Sequence, residues 1–316
     1  MIFRFRTFVC LALAVFAALT AACGRKDAAT HAQVCDPGYP MTVTDDLGRK
    51  VAIPSRPVTI VSLAPSVTEM LSALGEAGKL VGVTEWCVNP LAAKVERIGN
   101  MSSPDIERII ELSPSLVIGT EMTPPHVYEA IGQGGIPCVV FKHQDLGDVM
   151  ADMRTIAAIL GDGEQGGAVV AAMDARRRAL AASIPAGEPV RVALLYDLDS
   201  MGSAGRGSWV DDMLTESGLD NVANRAKSSW PRLSREALLT LRPRFILIPL
   251  PDAEKEAALL RARVDALGQD PVWRQVFSST GCRILLVPQV YLNIPGPRTL
   301  EAMEYLSVAV RPPAAR

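Results

Sequence analysis

Aromatic residues make up only 5% of the chain, with four tryptophans and five tyrosines, so their positions carry weight. Histidine is scarcer still, at three. A transition-metal carrier brings together three or four His and carboxylate ligands. His31 falls in a polar N-terminal segment, and His126 and His143 lie on different loops, which argues against zinc or manganese carriage. Basic runs are missing too. Lys+Arg at 32 against Asp+Glu at 34 gives a net charge of −2, which disfavours nucleic acid as a partner. The chain has no Gly-x-Ser-x-Gly elbow, phosphate loop or Gly-rich dinucleotide turn, so its motifs do not suggest an enzyme; a secreted hydrolase, the more distant alternative, would need a nucleophile and base brought together in the cleft. The glycine-rich GSAGRGSW (202–209) lacks the Lys-Ser/Thr of a phosphate loop and reads as a loop into a helix capped by Ser208.

One long apolar run is present, FVCLALAVFAAL, preceded by Arg4 and Arg6 and followed by Ala21, Ala22 and Cys23. This is the order of a signal peptide, over residues 1–22. The TAAC ending resembles a bacterial lipoprotein box, with Cys23 as the lipidated residue; plain cleavage beside Ala22 is the alternative. A polar tether follows at 23–40. Cys35, Cys87, Cys138 and Cys282 could pair in three ways in an oxidising compartment.

At 316 residues and 49% apolar content, two similar-sized domains are expected. TVTDDLGRKVAIP (42–54) reads as a hairpin. Beyond it, short apolar runs such as SLVIGT (115–120) and FILIPL (245–250) alternate with amphipathic helices, the pattern of parallel sheets covered on both faces. Residues 164–184 read as one long helix with no strand following until Arg191. The expected fold class is α/β: two lobes, each a mostly parallel sheet flanked by helices, joined by a single long α-helix. The expected boundaries are 41–160 for the first lobe, 161–187 for the connecting helix and 188–316 for the second.

One phrase occurs twice. SSPDIERIIELSPSLVIGT (102–120) and WPRLSREALLTLRPRFILIP (230–249) align at an offset of 129 when Pro114 is set on Pro243. Glu107 then meets Glu236, and Ile109 meets Leu238. A carboxylate suits a helix's first turn, but its recurrence in both lobes suggests two exposed anions able to engage two arginines of a partner.

Trp86 follows a predicted strand and Trp230 precedes a predicted helix, the element ends where α/β sheets bind ligands. Tyr196 and Tyr291, at or just after strand ends, could join them. Core packing is the expectation for Trp209. Arg298 would oppose the dipole at the start of the last helix, so an anionic ligand or carboxylate should face it. Glu69, three residues after Ser66, reads as half of a capping box.

DDLGRKVAIP, TIVSLAPSVTEMLSALG, NMSSPDIERIIELSPSLVIG, SSWPRLSREALLTLRP and PGPRTLEAMEYL together resemble the substrate-binding proteins of ABC importers for cobalamin, ferric siderophores and haem. WPRLSRE is most similar to the cobalamin-binding branch. The resemblance runs from about Met41 to the C-terminus. It implies a ligand held between two lobes and no catalysis. Glu107 and Glu236 would dock the permease dimer, with the protein acting as a monomer in the periplasm or at the cell surface, attached to the membrane only through an N-terminal lipid. Trp86 and Trp230 become stacking candidates, with Met101 where a further aromatic is expected. Arg206 or Arg298 would meet the ligand's polar rim. No cofactor is implied beyond the ligand itself, a corrinoid, haem or ferric siderophore. The chain departs from the branch at Val290 and Ile294, where charged residues are expected.

Overall fold

The computed structural model describes residues 38–311, apart from residue 144 and the side chains of 279 and 280. The expected signal peptide, the Cys23 lipid site, Cys35 and nearly all of the tether lie outside the described residues.

Strands β1 (Met41–Thr44) and β2 (Lys50–Ile53) form the antiparallel hairpin read from the sequence. The first large sheet takes β3 (Ile60–Ser62), β4 (Leu80–Val83), β5 (Glu96–Arg97), β6 (Leu116–Thr120) and β7 (Cys138–Phe141), in the spatial order β5-β4-β3-β6-β7. The second takes β8 (Val190–Leu194), β9 (Leu219–Asn221), β10 (Phe245–Leu250) and β11 (Arg283–Pro288), in the order β11-β10-β8-β9. Every pairing in both sheets is parallel, so helices must cross over between strands and cover both faces.

The strands sort their side chains by alternation. Ile60, Leu116, Ile118 and Val139 of the first sheet join Val192, Leu194, Leu247 and Val287 of the second in one apolar core. Between the sheets this core takes in residues of helices Leu146–Ile159, Gly163–Ser183, Trp209–Glu216 and Thr299–Ala309. The intervening strand residues face outward into two separate smaller cores, Val61, Val117 and Val140 in one, Ala193, Ile246 and Ile248 in the other. The sheets are thus joined by a shared helical layer, and any relative movement has to keep that layer packed.

Helix Gly163–Ser183, 21 residues, spans roughly 30 Å at 1.5 Å per residue. A Cβ at Gly166 would sit 2.1 Å from the Cβ of Ala157, so a side chain there would push this helix off helix Leu146–Ile159. Arg176 grips Glu304 at 3.0 Å and Arg177 pairs with Glu216, tying the helix to two helices of the second half.

The doubled phrase is doubled in structure as well. Helices Ile106–Glu111 and Arg235–Leu241 begin with equivalent caps: Asp105 accepts from the Arg108 amide at 2.9 Å, and Ser234 from the Ala237 amide at 3.1 Å. Ile109 and Leu238 are fully buried, each contributing about 1.5–3 kcal/mol against exposure. Both copies then turn through a left-handed residue, Ser113 at φ 45° and Arg242 at φ 51°, immediately before the aligned prolines. That turn aims each following strand, β6 and β10, back into its sheet.

Several local readings are corrected. The capping box does not form: Ala64 is the N-cap of helix Pro65–Ala73, and Ser66 and Glu69 point to other partners described below. VYLNIPGPR holds a short helix, Gln289–Asn293, and helix Pro271–Thr280 carries no sequence expectation. Cys87 and Cys138 are free thiols, all three of Cys87, Cys138 and Cys282 are buried, and none of them is joined to another of the three. Burial pushes the Cys138 thiol up to about 12.

Candidate functional site

A cavity of about 860 Å³ opens where the carboxyl ends of both sheets converge. Ala64, Pro65 and Ser66 reach it just past β3, Glu85 and Trp86 past β4, Thr120 to Met122 at the end of β6, and His143 past β7. The second half supplies Trp209, Trp230 and the turn after β11. Ligands collect at such strand ends because the loops there are free to vary on a fixed scaffold.

Trp86 is 55% and Trp230 57% exposed, far more than indole surface left without a partner. Each is held by its backbone. The Trp86 loop is pinned from below by Arg97, whose guanidinium donates to the carbonyls of Thr84 and Cys87, both at 3.0 Å. The Trp230 loop lies along 201–205: the Ser203 amide donates to Pro231 at 2.8 Å and the Gly205 amide to Ser229 at 2.9 Å. A Cβ on Gly205 would stand 2.8 Å from the Ser228 carbonyl oxygen, so glycine is required for this approach. Tyr196 backs Trp230 with ring centroids 6.2 Å apart, and burial pushes its phenol well up.

Of the residues singled out from sequence, Trp86, Met101 and Trp230 line the cavity. Tyr196 stands behind Trp230, and Tyr291 packs against Tyr305. Arg206 is exposed and is not among the lining residues. Arg298 is spent on Glu69, at 2.9 Å, and this carboxylate is the anion its position called for. Val290 and Ile294, noted for their departure from the expected charges, are both wall residues. Glu107 and Glu236 are solvent-exposed in the second position of their helices. Hydrogen bonds from the Glu236 amide and the Ser234 hydroxyl, with Arg235 nearby, hold the Glu236 carboxyl below its usual range.

Trp209, expected in the core, is buried at 7%, opens its helix and also contributes to the cavity wall. Further wall residues had escaped notice. Glu85 and Glu121 bring carboxylates, Gln289 and Asn293 bring amides, and among the described residues no Lys or Arg lines the cavity. Glu121 meets Lys142 only at 4.0 Å. The least expected element is a chain of three side chains: Ser66 Oγ lies 3.1 Å from His143 Nε2, and His143 Nδ1 lies 2.7 Å from Asp152. Burial pushes the Asp152 carboxyl up, opposed by its bond to His143. Spacings of 77 and 9 residues put this group beyond any local motif. Among the described residues, no group of three or more His, Cys, Asp or Glu is placed to hold a metal ion.

Residues 60–276 match the family model for periplasmic binding proteins. A vitamin B12-binding protein of Pectobacterium atrosepticum is 28% identical over 254 residues, covering 75% of this chain and 87% of its own. An ABC transporter substrate-binding lipoprotein of Bacillus subtilis, YvrC, is 27% identical over 321 residues, covering 97% of this chain and 98% of its own. Among solved structures, the periplasmic heme-binding protein RhuT of Roseiflexus is 29% identical with a TM-score of 0.67, over 80% of this chain and 97% of its own.

Proposed function

Since the chain belongs to the periplasmic binding protein family, we propose that it is the substrate-binding component of an ABC importer, capturing cobalamin or a related corrinoid in the cavity and delivering it to the permease. The observation that carries this reading is the chemistry of the wall. Two exposed indoles offer flat apolar faces to a planar macrocycle. Around them stand acceptors, Glu85 and Glu121, and the amides of Gln289 and Asn293, with no Lys or Arg among the described wall residues and Lys142 reaching Glu121 only from outside the wall at 4.0 Å. A corrin rim bears carboxamides, which donate to such acceptors. A haem presents carboxylates, and desolvating these beside Glu85 and Glu121 without a cation is costly. The likeness to a vitamin B12-binding protein supports the same reading.

A haem or ferric siderophore is the second reading, favoured by the likeness to a heme-binding protein. Titration of the purified protein with cobalamin, cobinamide, haem and ferric siderophores, followed by tryptophan fluorescence, separates the two. Corrinoids should quench and haem should not. Quenching by haem or a siderophore alone would replace the ligand, and no quenching by any of them would remove the class.

Delivery rests on Glu107 and Glu236, one carboxylate in each copy of the repeated unit, engaging arginines of the permease dimer. Capture and delivery require no covalent step. The protein acts as a monomer, held at the periplasmic or outer face of the membrane by a lipid on Cys23, in keeping with its likeness to a named lipoprotein. Reversing both glutamates to lysine should abolish uptake and leave ligand affinity intact; loss of affinity would place them in binding instead.

A further inference from the structure

The Ser66–His143–Asp152 chain is more than ligand capture requires. The imidazole of His143 is only 4% exposed and the Asp152 side chain 8%, yet Ser66 and His143 both belong to the cavity wall. In the neutral tautomer that donates Nδ1–H to the Asp152 carboxylate, Nε2 presents its lone pair to the Ser66 hydroxyl. The 3.1 Å separation lies within the reach at which a base activates a nucleophile, and the base is oriented in turn by a third group. Ser66 also stands four residues past β3, in the first turn of the helix that follows at the carboxyl end of a parallel sheet. That is the topological station of the hydrolase nucleophile elbow. The motif is hidden because Ala64 and Thr68 occupy the positions where that elbow has glycine. Pro65 opens the helix, and the amides of Ser66 and Val67 have no hydrogen-bond acceptor among the described residues. First-turn amides of this kind stabilise a developing oxyanion.

We propose that Ser66, His143 and Asp152 form a nucleophile, base and orienting carboxylate that give the cavity a second activity, hydrolysis of esters. Its substrates are esters whose carbonyl reaches Ser66 while an apolar portion lies against the tryptophans of the wall. Ser66 Oγ bonds to the carbonyl carbon as Nε2 takes the hydroxyl proton, and the carbonyl oxygen gathers the charge beside the Ser66 and Val67 amides. The bond to the alcohol oxygen then breaks, Nε2 returning the proton to that oxygen. Water repeats the sequence on the acyl-serine, releasing the acid and restoring the hydroxyl.

The test treats the purified protein with 4-nitrophenyl acetate and, separately, with a fluorophosphonate, and maps any adduct by peptide mass. The expected result is nitrophenolate release with acetyl or phosphonyl on Ser66. Release should be lost in Ser66→Ala, slowed at least about 100-fold in His143→Gln and about 10³–10⁴-fold in Asp152→Asn. No adduct on Ser66, or hydrolysis equal in the wild-type protein and Ser66→Ala, would overturn the proposal. Mapping on the wild-type protein depends on no variant folding, and its outcome is independent of which macrocycle the cavity carries.

Discussion

Glu69 and Arg298 meet at 2.9 Å, joining the first helix of the first sheet to the N-cap of the last helix. Gly296 packs beside them, with room for a Cβ 3.6 Å from that of Glu69. The carboxylate side chain is only 7% exposed, so it depends on its partner. Arg298→Ala should destabilise the fold by about 1–3 kcal/mol, the cost of a buried acceptor left unpaired. Adding Glu69→Ala should recover part of that loss. Denaturant unfolding in a double-mutant cycle measures it, and purely additive effects would mean the pair carries no coupling.

Trp86 owes its position to Arg97, whose guanidinium spans the carbonyls at either side of the loop. Arg97→Ala should let the indole wander and weaken ligand binding about tenfold, chiefly through faster release. Stopped-flow tryptophan fluorescence gives both rates. An unchanged release rate would mean the loop holds itself.

Arg242 adopts a left-handed conformation that suits glycine or asparagine better than a long side chain. Arg242→Asn should therefore stabilise the protein by roughly 0.5–1 kcal/mol, whereas β-branched Arg242→Val should destabilise it by a similar or larger amount. Thermal unfolding of both variants decides it, because the predicted shifts have opposite signs.

The Glu236 carboxyl titrates below its usual range because its own amide, and then the Ser234 hydroxyl, bond the ionised form. A depressed acid binds its proton more weakly in the folded state than in the unfolded chain. Its contribution to stability is therefore present above the unfolded glutamate pKa and lost as pH falls through the lower folded value. Glu236→Gln should flatten the acid limb of unfolding midpoint against pH. A carboxyl NMR titration at the ordinary glutamate value would contradict this. The same shift keeps one proposed docking charge ionised in mildly acidic surroundings.

The amino-acid order by itself determined the alternation of strands and helices, apart from the short strands β5 and β9 and helix Pro271–Thr280, together with the long helix and the two copies of the unit bearing Glu107 and Glu236. These are local matters: strand runs of three to six residues, a cap three residues from its amide, and a proline after a turn are all written within one turn or strand. The exposure of Trp86 and Trp230 was legible for the same reason, because both lie in polar loops at element ends. The tertiary structure alone decided the rest. Glu69 looked like a capping residue and instead spans to Arg298, 229 positions away, because the helix cap fell on Ala64 and left both side chains free. Trp209 read as a core residue, and the packing of its helix between the sheets lets it serve both the core and the cavity wall. Ser66, His143 and Asp152 carry no shared motif. They come into contact because parallel β3 and β7 deliver the first two at the same end of one sheet, and the helix after β7 returns the third beneath them.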